Sequence, residues 1–169
     1  AEAGKHDDAV GYAFAACDVL GGEVAVAAFL AETTPLIPTD HPAYAALVDR
    51  ECQALTATGL VSATQERYHR LHQLIASRAA ADPGNAQYQH GLSVSYEKLG
   101  DLAVALGDTT TADQHYRAAL TIRERLAAAD PGNAQYQRDL SVSHNKLGDL
   151  AVALGDTTTA DQHYRAALA

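Results

Sequence analysis

In the second half of the chain, apolar residues recur at spacings of three and four. Tyr88, Leu92, Tyr96, Leu99, Ala103 and Leu106 trace one face of a helix. The turn Asp82-Pro83-Gly84-Asn85 precedes them. Asn85 is suited to cap the helix, because an Asn side chain accepts from the unpaired N–H groups of a first turn. Gly107 predicts the stop, since glycine tolerates the left-handed backbone found just past a helix. The stretch from Asp108 to Thr111 supplies the next cap. A second helix then carries Ala112, Tyr116, Ala119, Ile122 and Leu126 on one face and ends before Asp130-Pro131. Proline cannot continue a helix and disfavours helical geometry in the residue before it.

This helix–turn–helix unit is duplicated. Residues 81–120 and 129–168 differ at four of 40 positions, with a period of 48 residues. The differences are His90/Arg138, Gly91/Asp139, Tyr96/His144 and Glu97/Asn145, all on the first helix. Two accounts stand side by side: a face diversified for a partner, and drift after a recent duplication.

The first half does not repeat in this way. Residues 7–20 and 23–31 read as helices divided by Gly21-Gly22, followed by a Pro-containing loop over 33–42 and a helix over 43–58. Residues 59–61 and 67–71 flank a polar stretch, 62–66, and read as a β-hairpin, with a further helix from His72. A second reading aligns this region with the repeat. A shift of 48 residues sets Gly59 on Gly107 and Tyr68 on Tyr116, making residues 36–80 a degenerate third hairpin. Against that, Glu51-Cys52 falls where the repeat has Leu99-Gly100.

The repeated unit resembles the tetratricopeptide repeat family. Tyr96, Leu99-Gly100, Ala103, Gly107, Ala112, Tyr116 and Ala119 stand at the family's offsets, as do His144, Leu147-Gly148, Ala151, Gly155, Ala160, Tyr164 and Ala167. The period of 48 departs from the family's 34 or so, which implies the same hairpin with longer helices. The resemblance implies an α-solenoid of antiparallel hairpins whose first helices line a concave groove. The groove positions it implies are Val94, Glu97, Asp101, Val104 and Ala105, then Val142, Asn145, Asp149, Val152 and Ala153. Such a groove, acidic and rich in small residues, suits a basic or extended peptide. The Lys- and Asn-rich clamp by which some relatives hold a C-terminal carboxylate is not evident.

The region before the repeats resembles the winged-helix segment of signalling NTPases of the NB-ARC and NACHT kind. The stretches concerned are residues 27–31, Leu55 with Gly59-Leu60-Val61, and residues 68–75. That resemblance implies a small helical, winged-helix-like domain over residues 1–76 and two repeats over 77–169 (about 81–128 and 129–169). It also implies a nucleotide-binding domain elsewhere in a longer parent protein, the repeats acting as its sensor. Of the family's nucleotide-sensing motif only His72 carries over, because the acid that follows the histidine in plant members is Gln73 here.

Composition narrows the function further. Aromatics are scarce at 6%, and much of the 47% hydrophobic content is alanine, which suits closely packed helices. The net charge is −9, and both halves are acidic, so nucleic acid and anionic membranes, which need a basic footprint, are poor partners. A winged-helix DNA binder is disfavoured for the same reason. Cys17 and Cys52 lack metal-ligand spacing and read as reduced thiols of a cytoplasmic protein. No signal-peptide pattern opens the sequence, and its most apolar segment, 12–31, is too interrupted to span a bilayer. The chain starts without Met and stops inside a repeat, so we read it as a piece of a longer protein. Its last hairpin, lacking a polar cap, is expected to pair with a second copy.

No phosphate-binding loop, nucleophile elbow or H-E-x-x-H helix is present. The runs 107–111 and 155–159 read as a glycine stop followed by a Thr N-cap rather than a phosphate loop. The pairs His69/His72 and Asp113/His115 fall short of the three or four ligands of a stable metal site. The expectation is therefore a non-enzymatic, cofactor-free, mainly all-α protein that binds another protein. It is either the sensor fragment of a signalling NTPase or a repeat adaptor.

Overall fold

The structure, a computed structural model, describes residues 2–39 and 43–168. Among the described residues there are eight α-helices, one 3-10 turn and no strand. The chain divides into two compact units, residues 1–71 and 72–169.

In the first unit, α1 (Glu2–Val19) and α2 (Glu23–Thr33) are followed by a 3-10 turn at Thr34–Leu36 and by α3 (Tyr44–Ala57). Helix α2 packs chiefly on α3. Val26, Ala27 and Leu30 of α2 meet Leu47 and Ala54 of α3, with Val10 and Ala13 of α1 and Ile37 of the loop completing the cluster. The helices expected from the sequence are thus found. Of the loop expected over 33–42, residues 40–42 lie outside the described residues.

The β-hairpin does not form. Residues 61–71, which contain its second arm, belong to α4 (Val61–Ala81), so there is no wing. The signal was misread because short apolar runs at 59–61 and 68–71 fit either a strand pair or successive turns of a helix. Helix α4 begins in the first unit and ends in the second. Its bounds fall 48 residues before those of α6 (61 to 109 and 81 to 129).

The turn before α4 also matches the repeats. Gly59, Gly107 and Gly155 have φ values of 77°, 77° and 78°. In each case the next residue's N–H reaches the carbonyl five residues back: Leu60 to Leu55, Asp108 to Ala103 and Asp156 to Ala151, all at 2.9 Å. This is the Schellman closure, and it explains why glycine stands at these positions.

The second unit holds the C-terminal part of α4, then α5 (Ala86–Ala105), α6 (Thr109–Ala129), α7 (Ala134–Ala153) and α8 (Thr157–Ala167). The asparagine caps are those expected, whereas α6 and α8 are capped by an aspartate rather than a threonine. Asn85 accepts from the N–H groups of Gln87 and Tyr88, and Asn133 from those of Gln135 and Tyr136. Asp108 and Asp156 accept from the N–H groups of Thr111 and Thr159. These bonds hold both carboxyls below the usual aspartate range. Within each hairpin the helices approach closely because a glycine faces a tyrosine ring. A Cβ on Gly100 would lie 2.4 Å from Tyr116 Cε1, and one on Gly148 2.6 Å from Tyr164 Cε1. The two hairpins join where Ala103 of α5, Ala112 and Tyr116 of α6, and Leu147 and Leu150 of α7 form a shared core.

Candidate functional site

The groove positions inferred from the sequence lie on α5 and α7. Lys146 of α7 reaches back to the preceding hairpin, its Nζ donating to Asp101 Oδ1 at 2.6 Å. The Tyr116 hydroxyl donates to the same carboxylate at 2.6 Å. The ammonium also stands 6.0 Å from the centre of the Tyr116 ring, at the outer reach of a cation–π contact. Burial pushes the Tyr116 phenol well above its ordinary range, with the bond to Asp101 and the nearby Glu97 and Asp149 carboxylates acting in the same direction. The phenol therefore stays a donor. One hairpin later, Tyr164 donates to Asp149 at 2.7 Å, and Asp149 is exposed.

These residues surround a pocket of about 240 Å³ lined by Asp101, Val104, Tyr116, Lys146, Asp149, Leu150 and Ala153. Four of the groove residues expected from the sequence, Asp101, Val104, Asp149 and Ala153, line it. Val94, Glu97, Val142, Asn145 and Val152 do not line it. Val104 and Val152 are nonetheless exposed at 45% and 53%.

Glu97 has a different task. It receives Arg123 Nη1 at 2.7 Å. Arg123, on α6, is only 3% exposed. It also donates to Ser93 Oγ (3.3 Å), to the Asp139 carbonyl (3.1 Å) and to Ser143 Oγ (2.8 Å). One arginine thus ties α5 to α7. Nothing local in the sequence marks it, although it falls on the same helix face as the core residues Ala119, Ile122 and Leu126.

The diversified positions also face other protein groups. His90 Nε2 donates to Asp139 Oδ2 at 2.8 Å, across the two repeats. His144 Nδ1 lies 3.1 Å from His163 Nδ1, linking α7 to α8. Burial, the neighbouring His144 and the Arg117 guanidinium hold the His163 imidazole below the usual histidine range, against an opposing pull from Asp113. At the corresponding place in the first repeat, the Tyr96 and His115 rings stand 5.9 Å apart. Sequence reasoning missed the His144/His163 pair, because its members are 19 residues apart.

His72 lies in the C-terminal part of α4. Its Nδ1 is 3.0 Å from Ser95 Oγ, and its ring is 4.6 Å from that of Tyr96. The Ser95 hydroxyl already donates to the Leu92 carbonyl, so it accepts from His72. Among the described residues no group of three or more His, Cys, Asp or Glu gathers as metal ligands, and no helix is long and apolar enough to cross a membrane.

A search of curated proteins finds no match. The solved structure of MamA (AMB-1) is similar at 16% identity, over 96% of this chain and 94% of that one, with a TM-score of 0.35. The tetratricopeptide repeat family matches residues 93–125, which run from the middle of α5 to near the end of α6. The hairpin α5–α6 therefore contains a tetratricopeptide repeat.

Proposed function

We propose that this chain is a non-enzymatic protein–protein interaction scaffold whose docking surface is the pocket between α5 and α7. The observation that carries this reading is the make-up of that pocket. Val104, Leu150 and Ala153 offer apolar area, while Asp149 presents an exposed carboxylate held in place by a single tyrosine hydroxyl. Oriented polar groups around an apolar recess characterise binding sites. The partner that fits is an extended peptide carrying a basic side chain for Asp149 beside an aliphatic one. Glu97 contributes little to that recognition, because its charge is already matched by Arg123.

We also read the segment 36–80 as a divergent third hairpin, in view of the matching helix bounds and glycine turn. This favours a repeat adaptor over the sensor of a signalling NTPase. The wing on which the sensor reading leaned is helix, and His72 is engaged by Ser95 and Tyr96.

The test is a selection of displayed peptides on the immobilised chain, run in parallel on an Asp149→Lys, Ala153→Arg variant. Both substitutions lie at exposed positions, so the fold should persist. Peptides rich in Lys or Arg next to aliphatic residues, retained by the parent and lost by the variant, are the expected result. Enriched peptides that bind both proteins equally would move the docking surface elsewhere.

A further inference from the structure

The fold brings together two imidazoles that the proposed docking function leaves unused. His144 is on α7 and His163 on α8, and their Nδ1 atoms are 3.1 Å apart. Their rings are inclined at 37° with centroids 5.4 Å apart, so they are neither stacked nor parallel. A neutral pair at this distance shares one N–H between two nitrogens.

The same separation also suits a metal. Two nitrogens bound about 2.0–2.1 Å from one ion, at angles between those of an octahedron and a tetrahedron, lie about 2.9–3.4 Å apart. Both side chains are half-buried, so the edge of the pair is open to solvent.

A comparison with the first repeat sharpens the case. His144 is one of only four positions at which 40 residues of repeat differ, and its counterpart is Tyr96. Tyr96 faces His115 as His144 faces His163. A neutral phenol is a poor ligand, so the single change from tyrosine to histidine gives the second hairpin a chelating pair that the first lacks. Among charged neighbours on α6, the Arg117 guanidinium would oppose a cation, but Arg117 is already paired with Asp113 at 2.7 Å.

We propose that His144 and His163 form a weak, exchangeable two-imidazole site for a divalent transition metal that prefers nitrogen ligands, zinc or copper, with water supplying the ligands by which the pair falls short of a stable structural site. Imidazole suits both ions. Neither histidine lines the α5/α7 pocket, so this site stands independently of the docking function. A bound ion would staple α7 to α8 and stabilise the last hairpin by mass action.

The test uses the whole chain, with Zn²⁺ or Cu²⁺ alone in chelator-free buffer. Bound metal is measured by equilibrium dialysis, and the histidine ring resonances are followed by NMR. The variants are His144→Tyr, which installs the residue already accommodated in the first repeat, and His163→Gln. The proposal expects one ion per chain and selective shifts of the His144 and His163 ring signals. It also expects binding weakened about tenfold or more in either variant, since each removes one of two ligands. No binding by the parent chain, or equal binding by parent and His144→Tyr, overturns the site. Shifts confined to the other histidines do the same.

Discussion

His90 on α5 donates through Nε2 to the carboxylate of Asp139 on α7, at 2.8 Å, and both stand at positions where the two repeats differ. A third differing residue, Glu97, carries the ion pair to Arg123, which also donates to the Asp139 carbonyl and to Ser143 on α7. The differences therefore hold one repeat against the next in a fixed order. Two identical copies of the first repeat would place glycine where Asp139 must stand. A double-mutant cycle with His90→Gln and Asp139→Asn should return a coupling of about 1 kcal/mol in urea unfolding. A coupling near zero would return these positions to drift.

Arg123 should be the most sensitive polar residue of the repeats. Replacing it with Leu leaves Glu97, Ser143 and the Asp139 carbonyl facing one another without their donor. Breaking a buried ion pair from one side costs about 3 kcal/mol or more. The double variant Arg123→Met, Glu97→Gln should recover part of that loss, because the uncompensated charge is gone. Denaturant midpoints of the two variants check this ordering.

The two close-approach glycines should respond unequally. In an exposed helix interior, Gly→Ala would stabilise by about 1 kcal/mol. Here the new methyl group meets a tyrosine ring at 2.4 Å in the first repeat and 2.6 Å in the second. Tyr116 is 4% exposed and is held between Asp101 and the α7 helix, whereas Tyr164 is only half-buried and can give way. We expect Gly100→Ala to cost about 2 kcal/mol, as overpacking does, and Gly148→Ala distinctly less. Equal losses by thermal unfolding would contradict this account.

His163 makes the last hairpin sensitive to pH. Its folded proton affinity is depressed from the ordinary value of 6.5, so below that pH the unfolded chain takes up a proton first. Its effect is silent at higher pH, and stability falls as pH drops through the ordinary histidine range. His144→Tyr removes one cause of the depression but leaves burial and Arg117. The urea midpoint should therefore fall between about pH 7.5 and about pH 5.5 in the parent and less steeply in the variant. Parallel profiles would show that His144 does not contribute to the depression of His163.

Much of the architecture was legible because it is local. Asn85 and Asn133 cap helices through bonds to N–H groups two and three residues on, and Gly107 and Gly155 stop helices through their own backbone angles. The pocket was legible only in part. Asp101, Val104, Asp149 and Ala153 stood among the positions the repeat pattern singled out and line it, yet Lys146, Leu150 and Tyr116 were not expected there. Periodicity reports which face a residue occupies, but not which distant residue meets it. The same limit produced the missing wing, since a few apolar residues around 59–71 satisfy either period.

By itself, then, the sequence determined the helices of the repeated units, their caps and stops, and the duplication, all set by interactions within a few residues. The tertiary structure alone decided what the polar residues do. Arg123 spans 26 residues to Glu97, Lys146 spans 45 to Asp101, and His144 spans 19 to His163. Such pairs depend on how one helix lies against another, and that angle comes from packing Tyr116 onto Gly100 and Tyr164 onto Gly148 rather than from any local preference.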